Sequence, residues 1–564
     1  MRGVASDFQK ILYPASLFPA LLFEDGQAQI RMIGVLNSLY ASSVVFPALA
    51  IARRLFDKPQ PVIASMVFAV IIPDLMYSMT FMSESVFLPL SLWMVYLCWR
   101  AFQAKGKREL VLAACAGVLC YVVYLCKEVA WMYLIAYVGW QLLAAFRKRR
   151  TWKRCFACIA VFVGCFLALF GIFKLTLFAG LFNSYSQFSF DILLSPYTVL
   201  FGAYSVVTDG LYFIIGFGVF PVIYVACTYR DMSREQRDLV FFCLISLLIG
   251  LAVVVFTISM REDVGHEALR QHLRYVAPLS LPLLMMFIQQ MWTFDPRALV
   301  QSARRRDVLV AVTVAFCALV AGFFGTANLS QGFDYAQFHF MRWLLAEIKP
   351  LDQSFFSGWD GTMSAIDATD GDLLAINAAN WICRAGVILF TIAGMLALMN
   401  SNKKVRHGSG ITICVIIALA MIANSAAMYL YNKKAYTVEE SKITEICEIS
   451  DQLSQHFGSG KVIVLMDEAN TGPNNLIDTY LQDGAGNYEY LTVDAFNDLL
   501  ENRTEALASA ADDSLRVPVD DLVYGSIDYV LLNTNQHPKL YGLTVQQIGG
   551  APEKSGTFIL YQVL

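Results

Sequence analysis

Charged residues are scarce in this sequence of 564 residues, where Asp, Glu, Lys and Arg together make up only 15% of the chain. Hydrophobic residues make up 57%. A soluble domain of this size would need more polar surface, so the composition excludes an ordinary soluble protein. Apolar stretches long enough to cross a membrane instead predict an α-helical polytopic membrane protein.

Several familiar chemical signatures are also missing. The sequence has no Gly-rich phosphate loop, no zinc motif and no Ser-His-Asp arrangement. Its 13 cysteines are scattered, mostly within apolar stretches, which gives no disulfide framework. The positive charge lies in short loops beside apolar stretches, so no nucleic-acid binding is predicted. The sequence predicts no definite cofactor. Asp370 and Asp372 are weak candidates for binding a divalent cation. Their DxD-like spacing suits a cation, but it is common by chance.

The apolar stretches alternate with basic loops. About twelve stretches have membrane-crossing length. The basic loops follow every second stretch and hold 23 of the 42 Lys and Arg residues. The positive-inside rule makes these loops cytoplasmic. The stretches lie near residues 30–52, 61–79, 82–101, 109–126, 128–146, 154–182, 208–229, 239–260, 275–293, 307–328, 379–399 and 410–430.

This topology predicts three regions. Residues 1–30 form an extracytoplasmic N-terminal segment, residues 31–430 a transmembrane domain, and residues 436–564 a small extracytoplasmic α/β domain. From Tyr431 onward, eight Lys and Arg stand against 20 Asp and Glu, which indicates a different environment from the basic membrane region. Strand patterns begin at Lys461, Tyr529 and Thr557, with helical stretches at 438–456 and 493–509. We expect a multi-pass protein of the cell membrane.

The start of the chain conflicts with this topology. The first span would run from outside to inside, yet no earlier span or signal peptide precedes it. We expect that an upstream helix is missing before Met1. The alternative is that the N-terminus crosses the membrane unaided.

Glu84 stands where two spans meet with almost no loop between them. A charge at the edge of hydrocarbon is costly, which favours a functional role. The alternative is that Ser83 and Glu84 only stabilise the start of a helix, whose N-terminus attracts an anion.

Lys127 and Glu128 form the next outer turn. The lysine is a candidate for binding a lipid phosphate while the glutamate holds it in place. The two residues could equally neutralise each other at the membrane interface.

Arg270, His272, Arg274 and Tyr275 precede a later span on the same side. Arginine binds phosphate oxygens through a bidentate fork, so the group is a candidate phosphate clamp. The alternative is that Arg and Tyr side chains extend to the interface without a ligand. Positive charge on the outer side runs against the topology rule, which favours the clamp.

Five stretches, in this order and spacing, resemble the GT-C glycosyltransferases, especially the branch of protein O-mannosyltransferases and lipid A aminoarabinose transferases. They are the Tyr-Pro segment that begins at Lys10, Ile30-Arg-Met-Ile-Gly-Val-Leu-Asn, Met82-Ser-Glu-Ser-Val-Phe, Cys126-Lys-Glu and Arg274-Tyr-Val-Ala-Pro.

The resemblance implies transfer of a sugar from a polyprenyl-phosphate carrier to an extracytoplasmic glycan, lipid or protein. Lys127 and Arg274 would stabilise the departing phosphate, and Glu84 and Glu128 would orient them. The family's base is an Asp in the first outer loop, which would lie upstream of Met1. Asp7 is only a weak candidate, so we expect this chain to lack its base and to be inactive as it stands. The alternatives are a transporter or flippase of a lipid-linked glycan, and a non-catalytic membrane protein that binds glycans.

Overall fold

The computed structural model describes most of the hydrophobic helices and five strands. The described residues are 10–23, 26–71, 82–176, 196–216, 228–256, 273–293, 303–323, 370–398, 408–423, the strands given below and a few isolated positions. The chain divides into two compact units, one containing Arg31–Ile348 and the other Leu430–Leu564.

The described helices confirm a mostly helical membrane protein. They are α1 Leu12–Ser16, α2 Gly26–Ser42, α3 Val45–Leu55, α4 Pro59–Ile71, α5 Glu84–Gln103, α6 Lys107–Cys126, α7 Trp131–Phe146, α8 Trp152–Thr176, α9 Pro196–Gly216, α10 Arg234–Val254, α11 Ser280–Thr293, α12 Ala303–Phe323, α13 Asp370–Leu398 and α14 Gly408–Ala423. Short 3-10 turns cover Phe18–Leu22, Glu128–Ala130, Tyr229–Asp231, Leu273–Tyr275 and Ala277–Leu279.

Six segments of the described residues are long and apolar enough to cross a membrane. Other predicted spans correspond to shorter apolar helices, such as Pro59–Ile71, so the total of about twelve stays a prediction. The six are Ala28–Leu55, Glu84–Gln103, Lys107–Cys126, Glu128–Phe146, Trp152–Leu175 and Arg234–Val254.

Two predicted spans differ from the structure. The span expected at 30–52 lies within the apolar segment Ala28–Leu55, but its helix is interrupted by a turn at Ser43 and Val44, because the ring of Pro47 clashes with the carbonyl four residues earlier. The span expected at 208–229 begins earlier, since α9 starts at Pro196, a residue well suited to the first turn of a helix. Asp209 then lies inside α9 with a relative exposure of 1%, so protein rather than lipid surrounds it.

Aromatic side chains fill the core between α5, α6, α7, α8 and α10. The rings of Phe102 and Trp140 stack with their centroids 3.7 Å apart, and those of Tyr137 and Phe162 stack at 4.2 Å. Such rings bury large apolar areas, so these helices form one tightly packed group.

Ion pairs hold the basic ends of these helices together. Buried Glu109, at the start of α6, pairs with both Arg150 and Arg154. α10 begins with a capping box, in which the Ser233 hydroxyl and the Gln236 backbone nitrogen are 3.2 Å apart. Part of the positive charge that sets the predicted topology therefore also connects helices.

The second unit contains a five-stranded sheet with the order β2-β1-β3-β5-β4. β1 is parallel to β2 and β3, whereas β5 is antiparallel to β3 and β4. Strands were predicted at β1, β3 and β5 but not at β2 or β4. The helices expected at 438–456, and most of 493–509, lie outside the described residues, so the α/β domain stays a prediction. The strands are β1 Lys461–Met466, β2 Asn487–Thr492, β3 Tyr529–Asn533, β4 Val545–Gly550 and β5 Phe558–Val563.

Candidate functional site

Three chain segments meet around the carboxylate of Glu84. α5 begins at Glu84, α6 ends at Cys126 just before Lys127, and the turn Leu273–Tyr275 completes the group. The Ser83 side chain makes no capping hydrogen bond, although its carbonyl accepts the first backbone bond of the helix. Ser83 is therefore not a side-chain cap of α5, and the partners of Glu84 come from the other two segments.

Glu84 lies between two cations. Its relative exposure is 2%, and it forms an ion pair with the Lys127 ammonium. The Arg274 Nε lies 3.4 Å from the same carboxylate oxygen, Oε1. A buried carboxylate needs such compensation because desolvation of a charge costs several kcal/mol, about as much as a good ion pair returns. The three residues form what we call the Glu84 cluster.

Tyr275 forms one wall of the Glu84 cluster. The Lys127 Nζ lies 4.1 Å from the centre of the Tyr275 ring, within the range of a cation–π interaction. The Tyr275 hydroxyl accepts a hydrogen bond from Arg274 Nη2 at 3.2 Å. One aromatic side chain thus contacts both cations and fixes their separation.

The two Nη groups of Arg274 have a thioether sulfur and a phenol among their neighbours. Nη1 lies 3.5 Å from the Met82 sulfur, and Nη2 donates to the neutral Tyr275 hydroxyl. A phosphate oxygen is a stronger acceptor for a guanidinium than either group. This side of Arg274 is therefore chemically suited to an anionic ligand.

Lys10 is a third cation at this site, and the sequence analysis missed it. Burial lowers the pKa of its ammonium, while the nearby Glu128 carboxylate opposes that shift. Tyr275, Lys127 and Arg274 also act on Lys10 electrostatically, so all of them lie close together. The resemblance included Lys10 only as the first residue of the Tyr-Pro segment and gave it no role, because only the fold brings the N-terminal segment to the cluster.

A buried polar network connects the N-terminal segment to the cluster. The Tyr13 hydroxyl and the Ser85 hydroxyl each donate to Asn37 Oδ1 at 3.1 Å. Burial raises the pKa of Tyr13 to about 12, so this hydroxyl remains a donor at neutral pH. Tyr13 lies three residues after Lys10 and Ser85 directly follows Glu84, so the network fixes both segments.

The charges of the site do not cancel. Lys10, Lys127 and Arg274 are positive, and Glu84 and Glu128 are negative. One positive charge is left over. Glu84, Lys127 and Arg274 are buried, where Coulomb interactions are stronger than in solvent, whereas Lys10 and Glu128 are partly exposed. An anion of one or two charges would therefore be attracted to this site.

The structure does not test the remaining predicted site residues. Asp7, Arg270 and His272 lie outside the described residues. Asp370 and Asp372 are in the first turn of α13. No group of three metal-ligating side chains occurs among the residues that the structure describes. The roles of all these residues stay predictions.

The sequence also matches a known family over part of its length. Residues 13–172 match the family described as dolichyl-phosphate-mannose-protein mannosyltransferase. The predicted resemblance to GT-C glycosyltransferases is confirmed over this segment. We call residues 13–172 the GT-C segment. It contains Glu84, Lys127 and Glu128, together with Tyr13 and Asn37 of the polar network. Lys10 and Arg274 lie outside it.

Solved structures with some likeness to this chain are distant in sequence. ArnT from Cupriavidus metallidurans bound to undecaprenyl phosphate aligns with 99% of this chain and 88% of its own, at 12% identity and a TM-score of 0.46. Its apo state aligns over the same shares at 11% identity and a TM-score of 0.43. An oligosaccharyltransferase from Archaeoglobus fulgidus aligns with 94% of this chain and 60% of its own, at 10% identity and a TM-score of 0.29. No curated protein matches the chain.

Proposed function

We propose that this protein transfers a sugar from a polyprenyl-phosphate carrier to an extracytoplasmic acceptor. The proposal rests above all on the Glu84 cluster, which holds Lys127 and Arg274 around one buried carboxylate. The GT-C segment, which contains two of these three residues, supports the same reaction class.

During the reaction, negative charge builds up on the carrier phosphate. A nucleophilic oxygen of the acceptor forms a bond to the anomeric carbon, and the bond from that carbon to the phosphate oxygen breaks. The electron pair leaves with the phosphate, and the acceptor proton passes to a base. The carrier phosphate changes from one negative charge to two during this step. A site with excess positive charge therefore stabilises the transition state more than the ground state.

Lys10, Lys127 and Arg274 have the right chemistry for this role. Lys127 supplies a compact ammonium and Arg274 a planar fork of donors, which suits the oxygens of one phosphate. Glu84 orients both side chains and does not attack the sugar. Asp7 stays only a weak candidate for the base, which the sequence analysis expects upstream of Met1.

Cleavage of the carrier bond tests this proposal. The protein would be purified with and without the genomic sequence upstream of Met1 and supplied in proteoliposomes with polyprenyl-phosphate-linked monosaccharides and membrane acceptors. Free polyprenyl phosphate would be measured, and the variants below would be made in the active form. We expect Lys127→Gln and Arg274→Gln to reduce its formation about 100- to 1,000-fold, the usual cost of losing one charge-stabilising donor. The exposed Arg108, at the opposite end of α6, provides the matched control Arg108→Gln, which should leave the rate unchanged.

A different outcome would identify one of the alternatives. If the wild-type chain moved the intact lipid-linked sugar across the bilayer without breaking the bond, the protein would be a transporter. If it bound the lipid-linked sugar without either event, it would be a glycan-binding protein.

A further inference from the structure

The N-terminal segment that carries Lys10 depends on tertiary contacts for its position. Its helix α1 has five residues, and isolated helices shorter than about 12–15 residues are marginally stable at best. Ile11 and Leu12 pack against the hydrophobic core. Apolar contacts are non-directional, however, so they do not by themselves fix where the ammonium of Lys10 lies. Hydrogen bonds, which are directional, have to supply that information.

Two residues of α2 provide hydrogen bonds to this segment. Asn37 Oδ1 accepts a hydrogen bond from the Tyr13 hydroxyl at 3.1 Å. The Tyr40 hydroxyl donates to the Ser16 carbonyl at 2.7 Å. Residues three apart lie on the same face of a helix, so one face of α2 holds α1 at two points.

Asn37 differs from Tyr40 because it also contacts the helix that begins at Glu84. The Ser85 hydroxyl donates to the same Asn37 Oδ1 at 3.1 Å, and its distance to the Met82 carbonyl of its own turn is longer, at 3.3 Å. An amide oxygen has two lone pairs, so it accepts both hydrogen bonds at once. Asn37 and Ser85 are each only 1% exposed. Water therefore does not compete for these bonds.

One oxygen atom thus connects two segments that carry opposite charges of the site. Tyr13 lies three residues after Lys10, and Ser85 directly follows Glu84. A site that binds one anion through several cations needs those cations held within about 0.5 Å of their working positions. The Asn37 amide is placed to provide this precision for Lys10.

We propose that Asn37 is a positioning residue for the carrier phosphate, which it serves by fixing Lys10 relative to Glu84. The inference rests on the proposed sugar transfer and deepens it. Asn37 acts through the two segments that it connects, and Lys10 makes the contact with the phosphate.

A double-mutant cycle between Asn37 and Lys10 tests the inference. Binding of radiolabelled polyprenyl phosphate and of polyprenol would be measured for the full chain in nanodiscs. We expect Lys10→Gln to weaken phosphate binding about tenfold, the effect of one charge-assisted contact. Asn37→Leu, which has a similar volume but no acceptor, should weaken it about fivefold. The double variant should bind about as weakly as Lys10→Gln alone, whereas independent effects would multiply to about 50-fold. Binding of polyprenol should stay unchanged in all variants.

Two further variants keep the test decisive if Asn37→Leu does not fold. Tyr13→Phe removes one hydroxyl and keeps the ring, so it should fold and show the same coupling to Lys10→Gln as Asn37→Leu. Tyr40→Phe is the matched control, since it removes a hydrogen bond to the same segment that has no connection to Ser85. Its effect should combine with that of Lys10→Gln as an independent one.

The pH profile of binding gives a readout that a loss of stability alone would not change. Phosphate binding by the wild type should weaken as Lys10 loses its charge at rising pH. This fall should be smaller in Tyr13→Phe and Asn37→Leu, because a displaced Lys10 contributes less to binding. The charged and titratable groups that act on Lys10 are Glu128, Tyr275, Lys127 and Arg274.

Two results would overturn the inference while leaving the proposed function intact. The first is a loss in Asn37→Leu or Tyr13→Phe that multiplies with that of Lys10→Gln. The second is equal coupling of Lys10→Gln to Tyr40→Phe and to Tyr13→Phe, which would assign the effect to general docking of the segment. A wild type that bound polyprenyl phosphate no better than polyprenol would instead contradict the proposed function, and the role of Asn37 with it.

Discussion

Glu84 holds two cations in place at a position with almost no access to solvent. The burial of three charges is costly, and replacing such groups by apolar residues often stabilises a protein. Stability of the fold alone therefore does not explain why these three charges are buried together. A thioether sulfur and a phenol lie beside the guanidinium of Arg274, and a phosphate oxygen is a stronger acceptor than either.

Glu84→Gln should separate the structural from the ligand-binding role of the cluster. Loss of the carboxylate leaves Lys127 and Arg274 buried without their shared anion, which should cost about 3–5 kcal/mol of stability. Polyprenyl phosphate would supply the missing negative charge, so it should raise the melting temperature of Glu84→Gln more than that of the wild type. Thermal melting in detergent, with and without this ligand, measures both effects.

Glu235 provides the matched control, because it pairs with Arg54 at 3.0 Å on an exposed surface. Glu235→Gln should cost only about 0–1 kcal/mol and show the wild-type response to polyprenyl phosphate. A ligand response in Glu84→Gln no larger than that of the wild type would contradict a phosphate site at the cluster.

Lys10 predicts a pH dependence of ligand binding. Burial lowers its pKa, so its positive charge is lost as the pH rises through a value below that of an ordinary lysine. Affinity for polyprenyl phosphate should therefore fall as the pH rises, and it should do so below the pH at which an ordinary lysine titrates. Lys10→Arg should abolish this fall, because a guanidinium keeps its charge at those pH values.

The exposed Lys58 serves as the control, and Lys58→Arg should leave the pH profile unchanged. Binding measured in the same detergent across these pH values tests the role of Lys10. An identical fall in the wild type and in Lys10→Arg would assign the titration to another group.

At the scale of elements, α6 and α8 pack so closely that a glycine is required between them. A Cβ added at Gly117 would overlap the main-chain carbonyl oxygen of Phe162. Small residues permit such close approach between membrane helices, where packing drives association. The α6–α8 contact also supports α6, whose end positions Lys127.

Gly117→Ala should therefore destabilise the protein by about 1–3 kcal/mol, the usual cost of overpacking. Gly164, on α8, has nothing within 4 Å of the place where a Cβ would stand. Gly164→Ala should be neutral or stabilising by up to about 1 kcal/mol, because alanine favours a helix over glycine. Melting temperatures of the two variants give the comparison, and equal shifts would show that the close approach is absent.

The sequence predicted much of the helical order and part of the site, for identifiable reasons. Charge at the edge of an apolar stretch is costly, which marked Glu84, Lys127 and Arg274 although they lie far apart along the chain. Lys10 was missed because a polar residue in a short N-terminal segment carries no such signal. β2 and β4 were missed because they are the edges of the sheet, where strands contain fewer apolar residues.

At the scale of the whole molecule, the charge pattern predicts the orientation of the chain. The acidic region after Tyr431 and the basic loops should lie on opposite sides of the membrane. Alkaline phosphatase fused after Leu564 should be active in a bacterial host, whereas the same reporter fused in the basic loop after Arg150 should be inactive. Active reporters at both positions, or the reverse pattern, would contradict this topology.

Direct binding of polyprenyl phosphate tests the central claim most directly. Radiolabelled polyprenyl phosphate and the matching polyprenol, which lacks the phosphate, would be bound to the wild type and to Arg274→Gln in identical nanodiscs. We predict that Arg274→Gln weakens binding of the phosphate by at least about tenfold and leaves binding of the polyprenol unchanged. Equal affinity of the wild type and Arg274→Gln for the phosphate would contradict the account.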